Sequence, residues 1–408
     1  MSAFAAGGAP AGRQAAACEG DTSRWDCHKF GGTSVGSADA MRKCIEIIRP
    51  LTQKQRIAVV VSAIGGKPKV TDLLLDSVHA AASGGFAEAE AKLEEIRTKH
   101  RLCVADVLKS SPAQAAAILQ TIESDLKDIA DLLRAVQLMR TPHEQILELV
   151  SGYGEVWSAN IMAEAMRHEG LPFVFLNARD VLIVTEDNMG STTVHWDESE
   201  ALLGAWIGRA DEEFASTPFG QQCIASSLPV PLPHLMITGY IASTPEGIAT
   251  TLKRDGSDFS ASIFGKMLRS SSITIWTDVS GVYSADPRRV TGAQIIPDVS
   301  YTEAIELAYF GAKVIHPKTM APAIMSSIPI YIRNTFEPQH PGTRIYLPPE
   351  RGQIIREKCV CGFSTVDNIA LLNIEGTGMI GVPGIAHRLF GALKAGSISV
   401  MFIAQASR

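Results

Sequence analysis

Five short segments of the chain combine glycines with charged residues in patterns that suit the binding of an anion. They are residues 29–35, 152–155, 252–261, 276–288 and 310–317. In the first segment, Lys29 precedes Gly31 and Gly32. These glycines lie between an apolar run that predicts a strand and a helix whose predicted N-cap is Ser37. Glycines at such a junction let backbone N–H groups face a phosphate, and the positive end of the helix adds to the attraction. A tightly packed turn would need the same glycines, so this segment alone leaves both interpretations open.

The charged residues of the five segments are of the types that phosphoryl transfer uses. They are the basic residues Lys29, Arg254, Arg288 and Lys313 and the acids Glu155, Asp258 and Asp278. Positive charge can bring two anions together and hold the oxygens of the transferred group. The chain contains no GxxxxGK[ST] motif and no H-R-D or D-F-G motif, which excludes a P-loop ATPase and a protein kinase.

Alternating strands and helices predict the scaffold that must position these residues. The helix after Ser37 has apolar residues at the helical spacing i, i+3, i+4, i+7, namely Met41, Cys44, Ile45 and Ile48. The apolar run 57–61 is typical of a strand buried on both faces of a parallel sheet. A second strand–glycine–helix junction follows at 62–72. The pattern predicts an α/β protein with an open, mostly parallel sheet and helices on both faces. Its ligands would bind beyond the carboxyl ends of the strands.

Composition limits the classes of partner. The net charge of −6 argues against a general nucleic-acid-binding protein. No apolar run approaches the roughly 20 residues needed to cross a bilayer, so no membrane partner is expected. The odd number of cysteines, seven, and their spacing predict reduced thiols rather than a disulfide framework or a zinc site.

The five segments together closely resemble the aspartate kinases, which belong to the amino-acid kinase family. The resemblance is carried by KFGGTSV (29–35), GYGE (152–155), LKRDGSDFSA (252–261), WTDVSGVYSADPR (276–288) and FGAKVIHP (310–317). ITGYIASTPEGI and EGTGMIGVPG are most similar to the kinase half of plant-type bifunctional aspartate kinase–homoserine dehydrogenases. The resemblance spans residues 27 to about 347 and implies the amino-acid kinase fold.

The resemblance implies transfer of the γ-phosphoryl group of ATP to the side-chain carboxylate of L-aspartate, which gives 4-phospho-L-aspartate. This reaction begins the biosynthesis of lysine, threonine, methionine and isoleucine. The attacking carboxylate is already ionised at neutral pH, so no general base is needed. Mg²⁺ is expected to accompany ATP, with no separate protein metal site, because Mg²⁺ usually binds through phosphates and few carboxylates.

By similarity, the site residues divide into three groups. The expected catalytic residues are Lys29 and Lys313, with Asp258 orienting the two lysines. The expected ATP-binding residues are Lys29, Gly31, Gly32, Thr33, Thr277, Asp278, Tyr283, Arg288, Lys313 and Val314. The expected aspartate-binding residues are Ser62, Thr71, Glu155, Arg254, Asp255, Gly256 and Ser257. Within the last group Arg254 would bind the α-carboxylate, Glu155 the α-ammonium, and Ser62 and Thr71 the side-chain carboxylate. The insertion Lys67-Pro68-Lys69 departs from the shortest family version and affects the assignment of Thr71.

The chain divides into four predicted regions. Residues 1–24 are expected to be disordered or the remnant of a targeting segment. The resemblance to plant enzymes implies the plastid stroma, or the cytoplasm if the N-terminus is no transit peptide. Residues 25–347 form the catalytic domain, with an aspartate side at 25–245 and an ATP side at 246–347. A linker at 348–358 precedes residues 359–408, which resemble the first βαβ unit of an ACT regulatory domain. A complete ACT domain would bind threonine or lysine as effector, and family members are usually homo-oligomers.

Two alternatives keep the same fold. The acceptor could be N-acetylglutamate, glutamate or carbamate, or the chain could be a catalytically silent amino-acid sensor. Gly376-Thr377-Gly378-Met379-Ile380-Gly381 matches GxGxxG, but residues 400–408 contain no acid to bind a ribose, which excludes a nicotinamide site there.

Overall fold

The computed structural model describes residues 21–187, 191–226, 230–253, 256–309, 315–348, 360–374, 383–398 and 400–404. The strands are β1 (Asp21–Phe30), β2 (Gln55–Val61), β3 (Phe173–Leu176), β4 (Val184–Glu186), β5 (Thr192–Val194), β6 (His234–Thr238), β7 (Ile241–Ser243), β8 (Ala249–Thr251), β9 (Ile273–Thr277), β10 (Asp298–Ser300), β11 (Ile330–Asn334) and β12 (Thr343–Tyr346). The helices are α1 (Ala38–Ile48), α2 (Val70–Ala82), α3 (Phe86–Val107), α4 (Pro112–Met139), α5 (Glu144–Ser151), α6 (Tyr153–His168), α7 (Trp196–Ser216), α8 (Pro218–Ala225), α9 (Gly256–Met267), α10 (Tyr301–Tyr309), α11 (Pro317–Met325) and α12 (Ile385–Ala395).

An eight-stranded sheet organises the described part of residues 1–365, which form one of two compact units. The strand order is β10-β12-β11-β9-β1-β2-β6-β3, and the ladders from β11 across to β3 are all parallel. Only the β11–β12 pair of this sheet is antiparallel. Two small antiparallel pairs, β4–β5 and β7–β8, lie outside it. The predicted open, mostly parallel sheet is therefore confirmed.

Two hydrophobic cores cover the two faces of the sheet, because successive residues of a strand point to opposite sides. In β2, Ile57, Val59 and Val61 pack with residues of α1 to α4 and α6. Ala58 and Val60 pack into the other core with residues of α7, α9, α10 and α11. The continuous apolar run of β2 thus reflects burial on both faces, as the sequence predicts.

The first helix is as the sequence predicts. The Ser37 side chain accepts a hydrogen bond from the amide of Ala40 and caps α1. The four apolar residues that follow helical spacing are all buried on its inner face: Met41, Cys44, Ile45 and Ile48.

Residues 366–408 form the second compact unit. Its helix is α12, whose N-cap Gly384 has φ +88°, a conformation that glycine adopts without strain. The sequence predicts strands at 369–374 and 400–404, but both described segments lack strand structure. Their apolar side chains are exposed, 98% in the case of Leu371. A strand in a sheet is stable only when one of its faces is covered, and the exposed apolar side chains of these segments show that this condition is not met here.

The structure describes no helix long and apolar enough to cross a bilayer.

Candidate active site

The carboxyl ends of adjacent parallel strands meet at one edge of the sheet, where most of the expected site residues follow them. The register pairs Phe30 of β1 with Val61 of β2 on one side and with Trp276 of β9 on the other, and Val61 with Thr238 of β6. The residues that come next along these strands therefore lie side by side: Gly31, Ser62, Gly239 and Thr277.

The glycine turn after β1 packs against the turn after β2. The amide of Gly65 donates to the Gly32 carbonyl at 3.0 Å, and a Cβ atom on Gly65 would lie 2.4 Å from the same oxygen. Inside the first turn, the amides of Ser34 and Val35 donate to the Gly31 carbonyl. Among the described residues, the amide of Gly32 has no acceptor, so it can serve an anion in front of α1.

Lys29 forms an ion pair with Asp258 at this edge. The Lys29 Nζ atom lies 2.6 Å from Asp258 Oδ1, and Lys29 is 8% exposed. A Cβ atom on Gly31 would lie 3.4 Å from the same Nζ, which places the ammonium beside the glycine turn. Asp258 belongs to the first turn of α9, so the pair joins β1 to a helix that is distant in sequence. The geometry agrees with an orienting role for Asp258.

The start of α9 lies against the residues after β6. A Cβ atom on Gly239 would lie 3.0 Å from Ser257 Oγ, and one on Gly256 would lie 2.6 Å from the Tyr240 ring. The Gly239 amide in turn donates to the carbonyl of Val61, the residue that precedes Ser62. The Ser257 hydroxyl and Ser62 therefore lie at the same edge of the sheet.

Glu155 is buried with one carboxyl oxygen unpaired. Its Oε1 atom accepts from the Ala63 amide at 3.2 Å, whereas Oε2 has no hydrogen-bond partner among the described residues. Burial raises the pKa of this carboxyl to about 8. A cationic ligand that reached Oε2 would favour the ionised form and lower the pKa again.

The glycines of GYGE allow α6 to approach this edge. A Cβ atom on Gly154 would lie 2.8 Å from the Ala63 side chain, and one on Gly152 would lie 2.7 Å from Ile241 Cγ2. A side chain at either glycine would thus collide with its neighbours, and the same close approach brings Glu155 to the Ala63 amide.

Arg179 is a site residue that the sequence reasoning missed. It lies in a 3-10 turn, donates to the Leu149 carbonyl at 3.3 Å, and lowers the pKa of Glu155 by its charge. Burial lowers the pKa of Arg179 itself, and its Nε atom is buried without a partner among the described residues. Arg179 adds a positive charge beside Glu155. Its sequence context, a short irregular segment without a glycine turn, carries no signal of this position.

The second turn carries the two residues expected near the substrate side chain. The Ser62 amide donates to the Phe30 carbonyl at 3.2 Å, which continues the β1–β2 ladder. Thr71 is half-buried in the first turn of α2. The Lys67–Pro68 peptide is cis, and the Pro68 carbonyl accepts from Lys99 of α3. The insertion therefore contacts α3 and leaves Thr71 at the start of its helix.

The residues expected to surround the nucleotide follow β9. The Thr277 hydroxyl donates to Asp278 Oδ1 at 3.2 Å, and Tyr283 forms a single β-bridge with Ile295. The Arg288 side chain is 79% exposed and pairs with Asp286 of its own turn. The structure thus brings Thr277 to the sheet edge, while it shows Arg288 bound to its neighbour in sequence.

Four expected site residues lie outside the described residues: Arg254, Asp255, Lys313 and Val314.

Comparison with known proteins identifies the families that the chain matches. The amino acid kinase family matches residues 27–334, and an ACT domain family matches residues 372–408. A bifunctional aspartokinase/homoserine dehydrogenase 2 of Arabidopsis thaliana, chloroplastic, is 41% identical over 384 residues, which are 94% of this chain and 39% of that protein. The chain therefore spans about two fifths of the length of the plant relatives it matches.

A shorter relative is covered more fully. The lysine-sensitive aspartokinase 3 of Escherichia coli K12 is 32% identical over 376 residues, which are 92% of this chain and 75% of that protein. A crystal structure of E. coli aspartokinase III in complex with aspartate and ADP matches with a TM-score of 0.69 and 26% identity, over 94% of this chain and 77% of that one. A second structure of that enzyme, with lysine and aspartate bound, also has a TM-score of 0.69.

Proposed function

Because the chain belongs to the amino acid kinase family and, within it, to the aspartokinases, we propose that it is an aspartate kinase. It transfers the γ-phosphoryl group of ATP to the side-chain carboxylate of L-aspartate and releases ADP and 4-phospho-L-aspartate. A carboxylate oxygen forms the new bond to phosphorus as the bond to the ADP oxygen breaks, and no proton changes place. The reaction begins lysine, threonine, methionine and isoleucine biosynthesis.

One observation carries the proposal. A single sheet edge holds the Lys29 ammonium beside the Gly31–Gly32 turn and the unpaired, buried oxygen of Glu155. The first pair of features suits a phosphate, and the second suits the α-ammonium of an amino acid. An N-acetylated acceptor has no ammonium group for Glu155, and carbamate has no α-ammonium group.

The residue roles proposed here are those that the family resemblance implies, and the arrangement described above supports the roles of Lys29, Asp258 and Glu155. Lys29, with the Gly31, Gly32 and Thr33 amides, binds the β- and γ-phosphates, and Asp258 orients Lys29. Lys313 approaches the phosphates from another segment, and Thr277, Asp278, Tyr283, Arg288 and Val314 surround the nucleotide. Glu155 binds the α-ammonium group. Arg254 binds the α-carboxylate, Asp255, Gly256 and Ser257 belong to the aspartate-binding segment, and Ser62 and Thr71 lie at the reacting carboxylate. In E. coli aspartokinase III, solved complexes contain aspartate with ADP and aspartate with lysine.

Mg²⁺ enters with the triphosphate. Within the described residues, one group of acids is close enough to hold an ion, namely Glu144, Glu148 and Glu186. The Lys253 ammonium already pairs with all three. We therefore assign no metal site made of protein ligands alone.

The wider context is also proposed. Residues 25–245 form the aspartate side and 246–347 the ATP side, and a linker at 348–358 leads to the ACT segment. The chloroplastic relatives support a plastid location. A homo-oligomer and an amino-acid effector, threonine or lysine, are supported by the ACT match and by the lysine complex of E. coli aspartokinase III.

The test is a coupled assay with ATP and a panel of acceptors: aspartate, glutamate, N-acetylglutamate and carbamate. Hydroxylamine traps the acyl phosphate and identifies the product directly. We expect turnover with aspartate alone. Turnover with another acceptor, or aspartate binding without turnover, would contradict the proposal.

A further inference from the structure

Three carboxylates form ion pairs with Lys253, the residue that directly precedes Arg254 in the sequence. Its Nζ atom lies 2.6 Å from Glu144 Oε1 and 3.0 Å from Glu186 Oε2, and it also pairs with Glu148. The carboxylate oxygens lie within 4.8 Å of one another, so they would repel each other without the ammonium. We call these four residues the Lys253 junction.

Further hydrogen bonds fix the junction from β8. The hydroxyl groups of Thr250 and Thr251 donate to the two oxygens of Glu148 at 3.0 and 3.3 Å. The Glu148 side chain is 12% exposed, which leaves it little freedom to turn away. The Lys253–Glu148 pair is thus enclosed and held on several sides, whereas Glu144, whose side chain is 73% exposed, pairs with Lys253 from the solvent side.

The backbone at Lys253 has the left-handed conformation, with φ +60°. Tyr240, which accepts from the Leu252 amide at 2.7 Å, is also left-handed, with φ +67°. This conformation is unfavourable for residues with side chains and persists only where surrounding contacts enforce it, often at functional sites. For Lys253, the three ion pairs supply such contacts.

The junction connects the two walls of the proposed aspartate site. Glu144 and Glu148 lie on α5, which continues through Gly152 into α6 and Glu155. Lys253 is followed by Arg254 and by α9, which carries Asp258. A change at the junction would therefore shift the start of α9, with Ser257 and Asp258, relative to Glu155 on α6.

We propose that Lys253 is a positioning residue: its junction with Glu144, Glu148 and Glu186 holds the start of α9, which carries Ser257 and Asp258, in place relative to Glu155, the residue proposed to bind the α-ammonium of the substrate. The proposal rests on the proposed function. It assigns to Lys253 the selection of a free α-amino acid, without contact to the substrate.

Steady-state kinetics of the full chain test this role. We expect Lys253→Ala to raise the KM for aspartate at least tenfold, with the KM for ATP and kcat within about threefold of wild type. Lys253→Arg keeps the positive charge and should stay within threefold of wild type for aspartate. Glu148→Gln provides a second variant in which one ion pair is lost while the shape is kept, and it should raise the aspartate KM by about three- to tenfold.

Arg97→Ala is the matched control. Arg97 also pairs with two acids, Glu94 and Glu123, and its side chain is 34% exposed against 27% for Lys253. It joins α3 to α4, and neither helix carries an expected site residue. The control should leave the aspartate KM unchanged. An aspartate KM within twofold of wild type for Lys253→Ala, or an equal rise in the KM for ATP, would overturn the inference.

Hydrogen exchange separates this inference from the proposed function, because it needs no turnover. Without substrate, Lys253→Ala should speed amide exchange in peptides covering 144–155 and 250–258, and Arg97→Ala should not. Unchanged exchange in both peptides overturns the role of the junction whatever the enzyme phosphorylates. Turnover of aspartate by the wild-type protein, in contrast, tests only the proposed function.

Discussion

Lys29 and Glu155 show how the environment assigns different tasks to charged residues at one sheet edge. Lys29 is buried and paired with Asp258, which holds its Nζ atom beside the glycine turn. Glu155 is buried with only one oxygen paired, so its ionised form is disfavoured until a cation arrives. A cation that already has a partner can bind and release a phosphate, and an unpaired carboxyl group can recognise an ammonium group.

Replacing Lys29 should affect the chemical step most. Lys29→Ala removes a positive charge that would stabilise the transferred phosphoryl group, and we expect kcat to fall on the order of 10²–10⁴-fold with a smaller change in the KM for ATP. Lys43→Ala, on α1, is the control, since Lys43 lies over the Phe336 ring and outside the expected site. Wild-type turnover of Lys29→Ala, in a folded protein, would remove Lys29 from the mechanism.

The pKa of Glu155 predicts how aspartate binding depends on pH. In the free protein the pKa is raised to about 8, so below pH 8 the carboxyl is mostly protonated. Binding of the ammonium group requires the ionised form, so a proton must be released and binding weakens as pH falls. We expect the KM for aspartate to fall roughly tenfold per unit as pH rises from 6 toward 8, measured at saturating ATP.

Glu155→Gln provides the comparison for this profile. It keeps the shape of the side chain but cannot ionise, so the KM for aspartate should rise roughly 10–100-fold, and its change between pH 6 and 8 should disappear. A variant that retained the pH profile of the wild type would assign the titration to another group.

At the scale of elements, the glycines act mainly by letting two turns approach each other. The β1–α1 and β2–α2 turns touch through Gly32 and Gly65, where the closest atom is a backbone carbonyl that cannot move aside. The choice between a packed turn and an anion-binding turn, which the sequence leaves open, is therefore not exclusive. Close packing explains why residue 65 is a glycine. Gly31 lies beside the Lys29 ammonium, where the turn can bind an anion.

Gly65→Ala should damage both turns. The added Cβ atom would lie 2.4 Å from the Gly32 carbonyl oxygen, and we expect a loss of about 1–3 kcal/mol in the free energy of unfolding together with reduced kcat. Gly204→Ala is the control within α7, because a Cβ atom there meets nothing within 4 Å. That substitution should stabilise the protein by about 0.5–1 kcal/mol. Equal stability of the two variants in urea denaturation would contradict the close approach of the turns.

At the scale of the molecule, one sheet separates two cores that share its central strands. All five tryptophans of the chain, Trp25, Trp157, Trp196, Trp206 and Trp276, belong to the unit formed by residues 1–365. Their fluorescence therefore reports the unfolding of that unit alone. Because β2 contributes side chains to both cores, we expect them to unfold together.

Truncating one side chain in each core tests this coupling. Ile57 and Ile237 are both fully buried, in different cores. We expect Ile57→Ala and Ile237→Ala each to lower the free energy of unfolding by about 2–5 kcal/mol, with a single fluorescence transition in both cases. Two separate transitions in either variant would show that the faces unfold independently.

The sequence by itself determined the class of sheet and the first elements that carry the motifs, and it predicts the chemistry of the site. The alternation of apolar runs with periodic helices predicts the parallel sheet, and β2 and the Ser37 cap lie where the pattern puts them. These features depend on residues close together in the chain, where spacing and residue type are sufficient. The same local pattern predicts strands on either side of α12, and the described residues there lack them, because a strand depends on partners that the pattern does not contain.

Only the tertiary structure decided which distant residues meet. Arg179 beside Glu155 and the three glutamates around Lys253 are pairings between segments that no spacing in the sequence connects, whereas the Lys29–Asp258 pair is expected from the family resemblance alone. The physical reason is that charge pairing and burial depend on which elements the strand order and the helix packing bring together at one edge of the sheet. A residue's type states what it can do, and its neighbours in space determine whether it is ionised, held in place or free to bind.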